Sequence, residues 1–434
     1  MLRHGASTSG WFSQLQPRRG AGLAAMAALV GAMPAACATV PAHAGQGTRA
    51  DTSAFHLGAD ISFLDVPRRF GRPPRTYQEN GRPSDELTIL EHHGWTAFRL
   101  RVFVSPVRDA PDNSLANTIP LARRIKASGA LLLLDIHYSD TWADPQHQEI
   151  PVAWRGLDFA ALERQVETYS RNTIKAFKDA GAMPDWVQVG NEITRGMLWP
   201  VGQVAVPGSD QYLPPQPYDS VTQWAHLTGL LEAGIRGVRE GAGNTLPRIA
   251  IHIDRGGDWA TTKWFFDHLA AAHVPYDIIA ESFYPPWRHG TLAELRQNMD
   301  SCAQRFHKDF LVAETGYGPS HFPDNPDMQW PVTPEGRLAF MVDLVHTVQQ
   351  APRGLGVMYW APEYDLWNAD GTPGPAVFTL DHLTDATSGL TTHPGGGTGH
   401  GRLTRPAVFR ARGMADELPR HVLSRRGAAG RPLG

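Results

Sequence analysis

The sequence predicts an α/β protein folded as a single (β/α)8 TIM barrel, and three observations carry that prediction. Short apolar runs recur eight times between residues 55 and 362. A stretch with helical periodicity follows each run, and no glycine-rich phosphate turn follows the first, as an open doubly wound sheet would require.

The runs occupy residues 55–62, 97–104, 131–138, 185–192, 248–255, 276–284, 309–317 and 354–362. Runs such as Leu131-Leu132-Leu133-Leu134 do not alternate, which is what a parallel strand buried on both faces needs. Ser84 ahead of Leu87 and Leu90 starts a helix after the first run, and residues 157–180 form a long amphipathic helix ending at Gly181. Thr291 with Glu294 makes a capping box, and Thr333-Pro334-Glu335 opens the helix before the last run. Residues 201–219 and 368–401, rich in Gly, Pro and polar residues, read as long loops. The barrel domain spans residues 51–415, and the basic segment 416–434 reads as a disordered tail.

Composition narrows the function. The chain has 434 residues, 42% hydrophobic and 19% charged, with 40 Lys+Arg against 43 Asp+Glu. A net charge of −3 supplies no drive toward a phosphate backbone, so nucleic acid is not an expected partner. Cys37 and Cys302 are the two cysteines, too few for a disulfide framework or a thiolate zinc site. Residues 1–44 read as an export signal: Arg3, Arg18 and Arg19 precede an apolar run over 20–32 that is too short to span a bilayer. Ala42-His43-Ala44 offers a small-x-small cleavage site, while Ala35-Ala36-Cys37 resembles a lipoprotein signal with a lipid anchor at Cys37. Both readings place the product outside the cytoplasm, secreted, periplasmic or on an outer membrane. No transmembrane segment is expected, and a monomer is.

In a barrel the chemistry collects at the C-terminal strand ends, and here those ends are polar. They carry Arg99 and Arg101, Asp135, His137 and Asp140, Asn191 and Glu192, His252, Ser282 and Tyr284, Glu314, and Trp360. Glu192 on the fourth run and Glu314 on the seventh face one another across the mouth. Two opposed carboxylates are the equipment of glycosidic hydrolysis, so Glu192 is read as general acid/base and Glu314 as nucleophile. Arg99 and Asn191 are read as donors to the nucleophile and the sugar 2-OH, Tyr284 as orienting the carboxylates or the sugar, and His137, which by itself reads as a satisfied barrel histidine, as sharing that role within the Asp135–Asp140 motif. Trp360 is the apolar floor beneath the sugar, extended by Trp142, Trp199 and Trp287. Asp60, Asp135, Asp140, His252 and Ser282 are read as substrate hydrogen-bonding positions, with support of neighbouring side chains open for Asp60, Asp140 and His252.

Asn191-Glu192 and Glu314 resemble the pattern of the clan A glycoside hydrolases. Gly58-Ala59-Asp60, Arg99-Leu100-Arg101-Val102, Asp135-Ile136-His137-Tyr138-Ser139-Asp140 with Trp142-Ala143-Asp144-Pro145, Gln188-Val189-Gly190-Asn191-Glu192, Ser282-Phe283-Tyr284-Pro285, Glu314-Thr315 and Tyr359-Trp360 resemble glycoside hydrolase family 53 over about residues 55–365. The resemblance implies a retaining endo-β-1,4-galactanase acting on the (arabino)galactan side chains of pectin, without a cofactor. A β-mannanase, a cellulase and a non-catalytic carbohydrate-binding barrel are the alternatives. Some bacterial members bind calcium in a strand-end loop. No acidic ligand cluster stands out here, so no metal is expected. Two departures mark this chain: Ala361 follows Trp360 where the family usually has Glu, and Glu281 precedes Ser282, a change expected to alter the hydrogen-bonding rim of the cleft.

Overall fold

The computed structural model describes residues 51–64, 76–107, 113–206, 220–285, 290–318 and 329–388. Cys37, Trp287, the leader 1–44 and the tail 416–434 lie outside them. Eight parallel strands close into a barrel, β1 (His56–Asp60), β4 (Ala97–Val102), β5 (Leu131–Ile136), β6 (Trp186–Val189), β9 (Arg248–Ile253), β10 (Ile278–Ser282), β11 (Asp309–Thr315) and β12 (Gly354–Trp360), with β1 hydrogen-bonded to both β4 and β12. Each lies within one predicted run. A hairpin, β2 (Tyr77–Glu79) with β3 (Arg82–Ser84), follows the first strand, and a ribbon, β7 (Gly196–Met197) with β8 (Gly202–Gln203), follows the fourth.

Helices α1 (Glu86–His92), α2 (Leu115–Ser128), α3 (Phe159–Asp179), α4 (Val221–Ala242), α5 (Trp259–Ala271), α6 (Leu292–Phe306) and α7 (Pro334–Gln350) cross between barrel strands. All but α2 start at a side-chain cap. Asp158, Ser220, Asp258 and Thr333 each accept a first-turn N–H, and Thr291 with Glu294 forms the expected capping box. The cap of α1 is Asp85, which accepts from Thr88, because Ser84 is used in β3. Residues 368–401 are not one loop: a helix, α9 (Thr379–Ser388), forms within them, after the four-residue α8 (Pro362–Asp365). Its turn-formers are confined to the flanks, and Leu380 packs against the tight turn at Gly94.

Two apolar layers result. Leu132, Leu134, Ile136 and their counterparts face the helices, while Leu131, Leu133, Trp186, Ala250, Ile278, Ala280, Leu311 and Met358 fill the barrel. The alternation that sends Leu131 and Leu133 inward sends Asp135 inward one layer higher, and that which buries Ala97 inward does the same for Arg99 and Arg101. A polar layer therefore lies above the apolar plug by strand parity alone.

Candidate active site

Arg99 is the centre of that polar layer, fully buried in the middle of β4. Its guanidinium bonds Asp60 at 2.9 Å, Asp135 at 2.7 Å and Asn191 Oδ1 at 2.8 Å, and its Nη1 lies 2.8 Å from Glu314 Oε1. Burial opposes its charge, but the carboxylates of Asp135, Glu314 and Asp60 outweigh it and raise its pKa, so it stays a cation. Asp60 is likewise held below the usual range: burial works against ionisation, and Arg101 and Arg99 overcome it.

Glu314 reaches this cation through an irregularity. Leu311 and Ala313 both face the interior, so strict alternation would send Glu314 outward, but β11 breaks register with β10 and β12 beside it. The bulge re-aims Glu314 at the mouth. Glu192 is aimed by strain of another kind. Gly190 has φ of 86°, Glu192 itself has φ of 46°, and a Cβ at Gly190 would meet Ile193 Cγ2 at 2.8 Å.

The two carboxyls differ in surroundings. Burial, then the charges of Glu314 and Asp254, push the Glu192 carboxyl well above the usual range, against a 2.6 Å hydrogen bond from the Ser282 hydroxyl to Oε1. Glu314 is raised less: burial lifts it and Arg99 pulls it back. Of the pair, Glu192 is the harder to ionise and Glu314 the easier. Tyr284 Oη stands 3.5 Å from Glu314 Oε2, its own pKa raised by burial and then by the Glu314 and Glu192 charges.

The remaining predicted residues fall into two sets. Asp135, His137 and His252 lie beneath the mouth, 0–2% exposed, and Asp135 and His252 bond other side chains. His137 Nδ1 accepts the Ala143 N–H at 3.0 Å, so its hydrogen is on Nε2, 2.9 Å from Asp135 Oδ2. Asn191 donates to the Ala143 carbonyl at 2.8 Å. Asp140 ties loops, accepting the Ser105 and Val152 main-chain N–H groups at 3.0 and 2.8 Å. Trp142 and Trp360 are half-buried with rings 6.3 Å apart, and Tyr364 lies nearly parallel to Trp360, 6.2 Å away at 18°. Trp199 is also half-buried, its indole N–H bonded to the Arg195 carbonyl at 2.9 Å.

Sequence reasoning assigned no role to Gln188 or Phe63. Gln188 Nε2 bonds Asp135 at 2.7 Å and Asn191 Oδ1 at 3.0 Å, and lies 3.0 Å from His252 Nδ1. Its inward parity with Trp186 on β6 was the available signal. Phe63 packs against Trp142, Trp360 and Tyr364. Arg101 lies 4.6 Å over Phe63 and 4.7 Å over Trp142, a cation enclosed by rings. Glu281 corrects an expectation: it points out of the barrel with Ile279, fully buried, bonded to Thr262 and Asn298 at 2.9 Å each, and forms no part of the cleft rim. Ala361 is fully buried at φ of 48°, so the substitution leaves no side chain on the cleft surface.

This site sits in a known family. The model of glycosyl hydrolase family 53 matches residues 56–389. The chain belongs to glycosyl hydrolase family 53. It is therefore a glycoside hydrolase. A Niallia circulans protein described as an uncharacterized protein in the bgaB 5′ region is 39% identical over 325 residues, 72% of this chain and 84% of that protein. The probable arabinogalactan endo-β-1,4-galactanase A of Aspergillus terreus is 32% identical over 343 residues, 76% of this chain and 92% of that protein. A structure from a study of two fungal β-1,4-galactanases superposes with a TM-score of 0.66 at 28% identity, covering 75% of this chain and 98% of that one.

Proposed function

We propose that this family 53 hydrolase is an endo-β-1,4-galactanase that cleaves galactan side chains of pectin with retention of configuration. The observation that carries the mechanism is the unequal pair of carboxyls at the barrel mouth, one beside Ser282 and raised well above the usual range, the other raised less because it lies against Arg99. In the first step a Glu314 oxygen attacks the anomeric carbon as Glu192 gives its proton to the departing glycosidic oxygen. In the second, Glu192 takes a proton from water, which displaces Glu314 and restores both groups. Arg99 holds the attacking carboxylate ionised and oriented. Trp360, Trp142 and Tyr364 offer flat apolar surface to the C–H face of a galactosyl ring. The arabinogalactan endo-β-1,4-galactanase relatives support this substrate over mannan or cellulose. Export of the mature chain, read from residues 1–44, fits a polymeric extracellular substrate.

The test is linear β-1,4-galactan, with product sizes followed by chromatography and the first anomer by NMR. Short galacto-oligosaccharides appearing first as the β anomer, and vanishing in Glu314→Gln, are expected. An initial α anomer removes the double displacement, and cleavage of mannan or cellulose in place of galactan removes the substrate.

A further inference from the structure

We propose that His252 and Ser282 act as a positioning relay that decides which carboxyl oxygen of Glu192 carries its proton. The inference rests on the acid/base reading of Glu192 above.

The relay begins at the main chain of Glu192. Its left-handed φ of 46° and ψ of 49° turn its own N–H toward His252 Nδ1, 3.4 Å away. A main-chain hydrogen has a fixed direction, so Nδ1 presents its lone pair and a neutral imidazole carries its hydrogen on Nε2. The two hydrogens of Gln188 Nε2 go to Asp135 at 2.7 Å and Asn191 Oδ1 at 3.0 Å. Asn191 Oδ1 is 2.9 Å from Nδ1 but is already supplied by Arg99 at 2.8 Å and Gln188 at 3.0 Å. The imidazole is neutral because burial, then the charges of Arg99 and His137, hold its pKa well below the usual value.

His252 Nε2 stands 3.0 Å from Ser282 Oγ, which therefore accepts. The single hydroxyl hydrogen of Ser282 then goes to Glu192 Oε1 at 2.6 Å. With Oε1 committed as an acceptor, the proton of neutral Glu192 resides on Oε2. In the opposite tautomer Ser282 would donate to His252, and Oε1 could hold the proton against the serine, turned from the substrate. The charged neighbours Glu314, Asp254 and Asp144 raise the pKa of Glu192 as whole charges and do not select between its oxygens. His252 is fully buried on β9 and Ser282 on β10. Neither needs to touch the sugar to control the acid.

The test combines two readouts on the full chain. Nitrogen-15 NMR of histidine-labelled protein, with the His252 signals identified by difference against His252→Gln, is expected to show unprotonated Nδ1 and protonated Nε2 across neutral pH. Ser282→Ala is expected to lower kcat/KM on galactan about 10- to 100-fold, within the range of general acid catalysis. Its activity on an aryl β-galactobioside with a nitrophenolate leaving group, which needs no proton, falls much less. Loss of the hydrogen bond that favours the ionised carboxyl also moves the basic limb of the kcat/KM profile to higher pH, and Ser282→Thr restores the wild-type limb. A protonated Nδ1, or equal losses on both substrates with an unmoved limb, overturns the relay. The tautomer is read without turnover, so failure on galactan strikes the substrate assignment and leaves the relay measurable.

Discussion

Arg99 Nη1 stands 2.8 Å from Glu314 Oε1, and the same guanidinium also bonds Asp60 and Asp135. One planar cation thus orients the carboxylate proposed as nucleophile from a floor that strand parity placed beneath it. Lysine can replace the charge but not the fork. Arg99→Lys is expected to fold and to move the acidic limb of kcat/KM toward higher pH, because one ammonium cannot bond Asp60, Asp135 and Glu314 together and a less closely paired Glu314 needs a higher pH to ionise. A limb at its wild-type position would show that the fork of Arg99 does not set the charge of Glu314. Arg99→Met strands three buried carboxylates and is expected to cost about 3–5 kcal/mol of stability, read by denaturant unfolding.

Glu314→Ala separates the two carboxyl roles. Without a nucleophile the first step stops, while Glu192 keeps its proton for the leaving oxygen. Azide fits the vacated space and attacks the anomeric carbon once, forming a C–N bond as the glycosidic C–O bond breaks. A single displacement inverts, so the expected product is an α-galactosyl azide, identified by NMR. A β-azide would place the nucleophile elsewhere.

The barrel was legible because it needs little beyond period and length: eight apolar runs and the helices between them leave few other closures. The inward placement of Asp135 and Arg99 follows from the same alternation as Leu133 and Ala97. Glu314 was singled out by its chemistry and not by its parity, since a bulge in β11 overrides the alternation. Glu281 was misread for the complementary reason. One position from Ser282 on a regular strand, it faces the helices, and only the donors Thr262 and Asn298, from α5 and α6, make a buried carboxyl tolerable there. Gln188 and the His252–Ser282 contact join strands distant in sequence, and no local pattern records them.

The apolar floor gives a prediction about binding. Trp360 and Tyr364 lie nearly parallel, Trp142 closes on them at 6.3 Å, and Arg101 sits 5.8 Å from the Trp360 ring. Trp360→Ala removes the largest flat surface and leaves Arg101 less enclosed. Truncations of this size commonly cost about 3–5 kcal/mol in a core, and a half-buried ring whose partner is a sugar costs less. Galactan kcat/KM is expected to fall about 10- to 1,000-fold with Glu192 and Glu314 retained. Trp360→Phe is expected to recover part of the loss. Equal losses in both variants would remove ring packing as the reason.

Glu281 sets a pH dependence of stability that is separate from catalysis. Burial pushes its carboxyl well above the usual range, and the hydrogen bonds from Thr262 and Asn298 only partly offset that. The folded state therefore binds a proton here that the unfolded chain releases above its ordinary carboxyl pKa, near 4.3. With more protons on the native side, stability from this group is fully present below that value and is lost as pH rises toward the folded pKa. Gln is neutral at every pH and has the same shape; its NH2 can donate to Thr262 Oγ1 while its oxygen accepts from Asn298. Glu281→Gln is thus expected to match the wild-type Tm near pH 4 and to exceed it progressively from pH 6 to 8, with galactan activity unchanged because Glu281 is outside the cleft. Calorimetry at three pH values checks this. A Tm difference that does not change with pH would mean that Glu281 is ionised in the folded barrel.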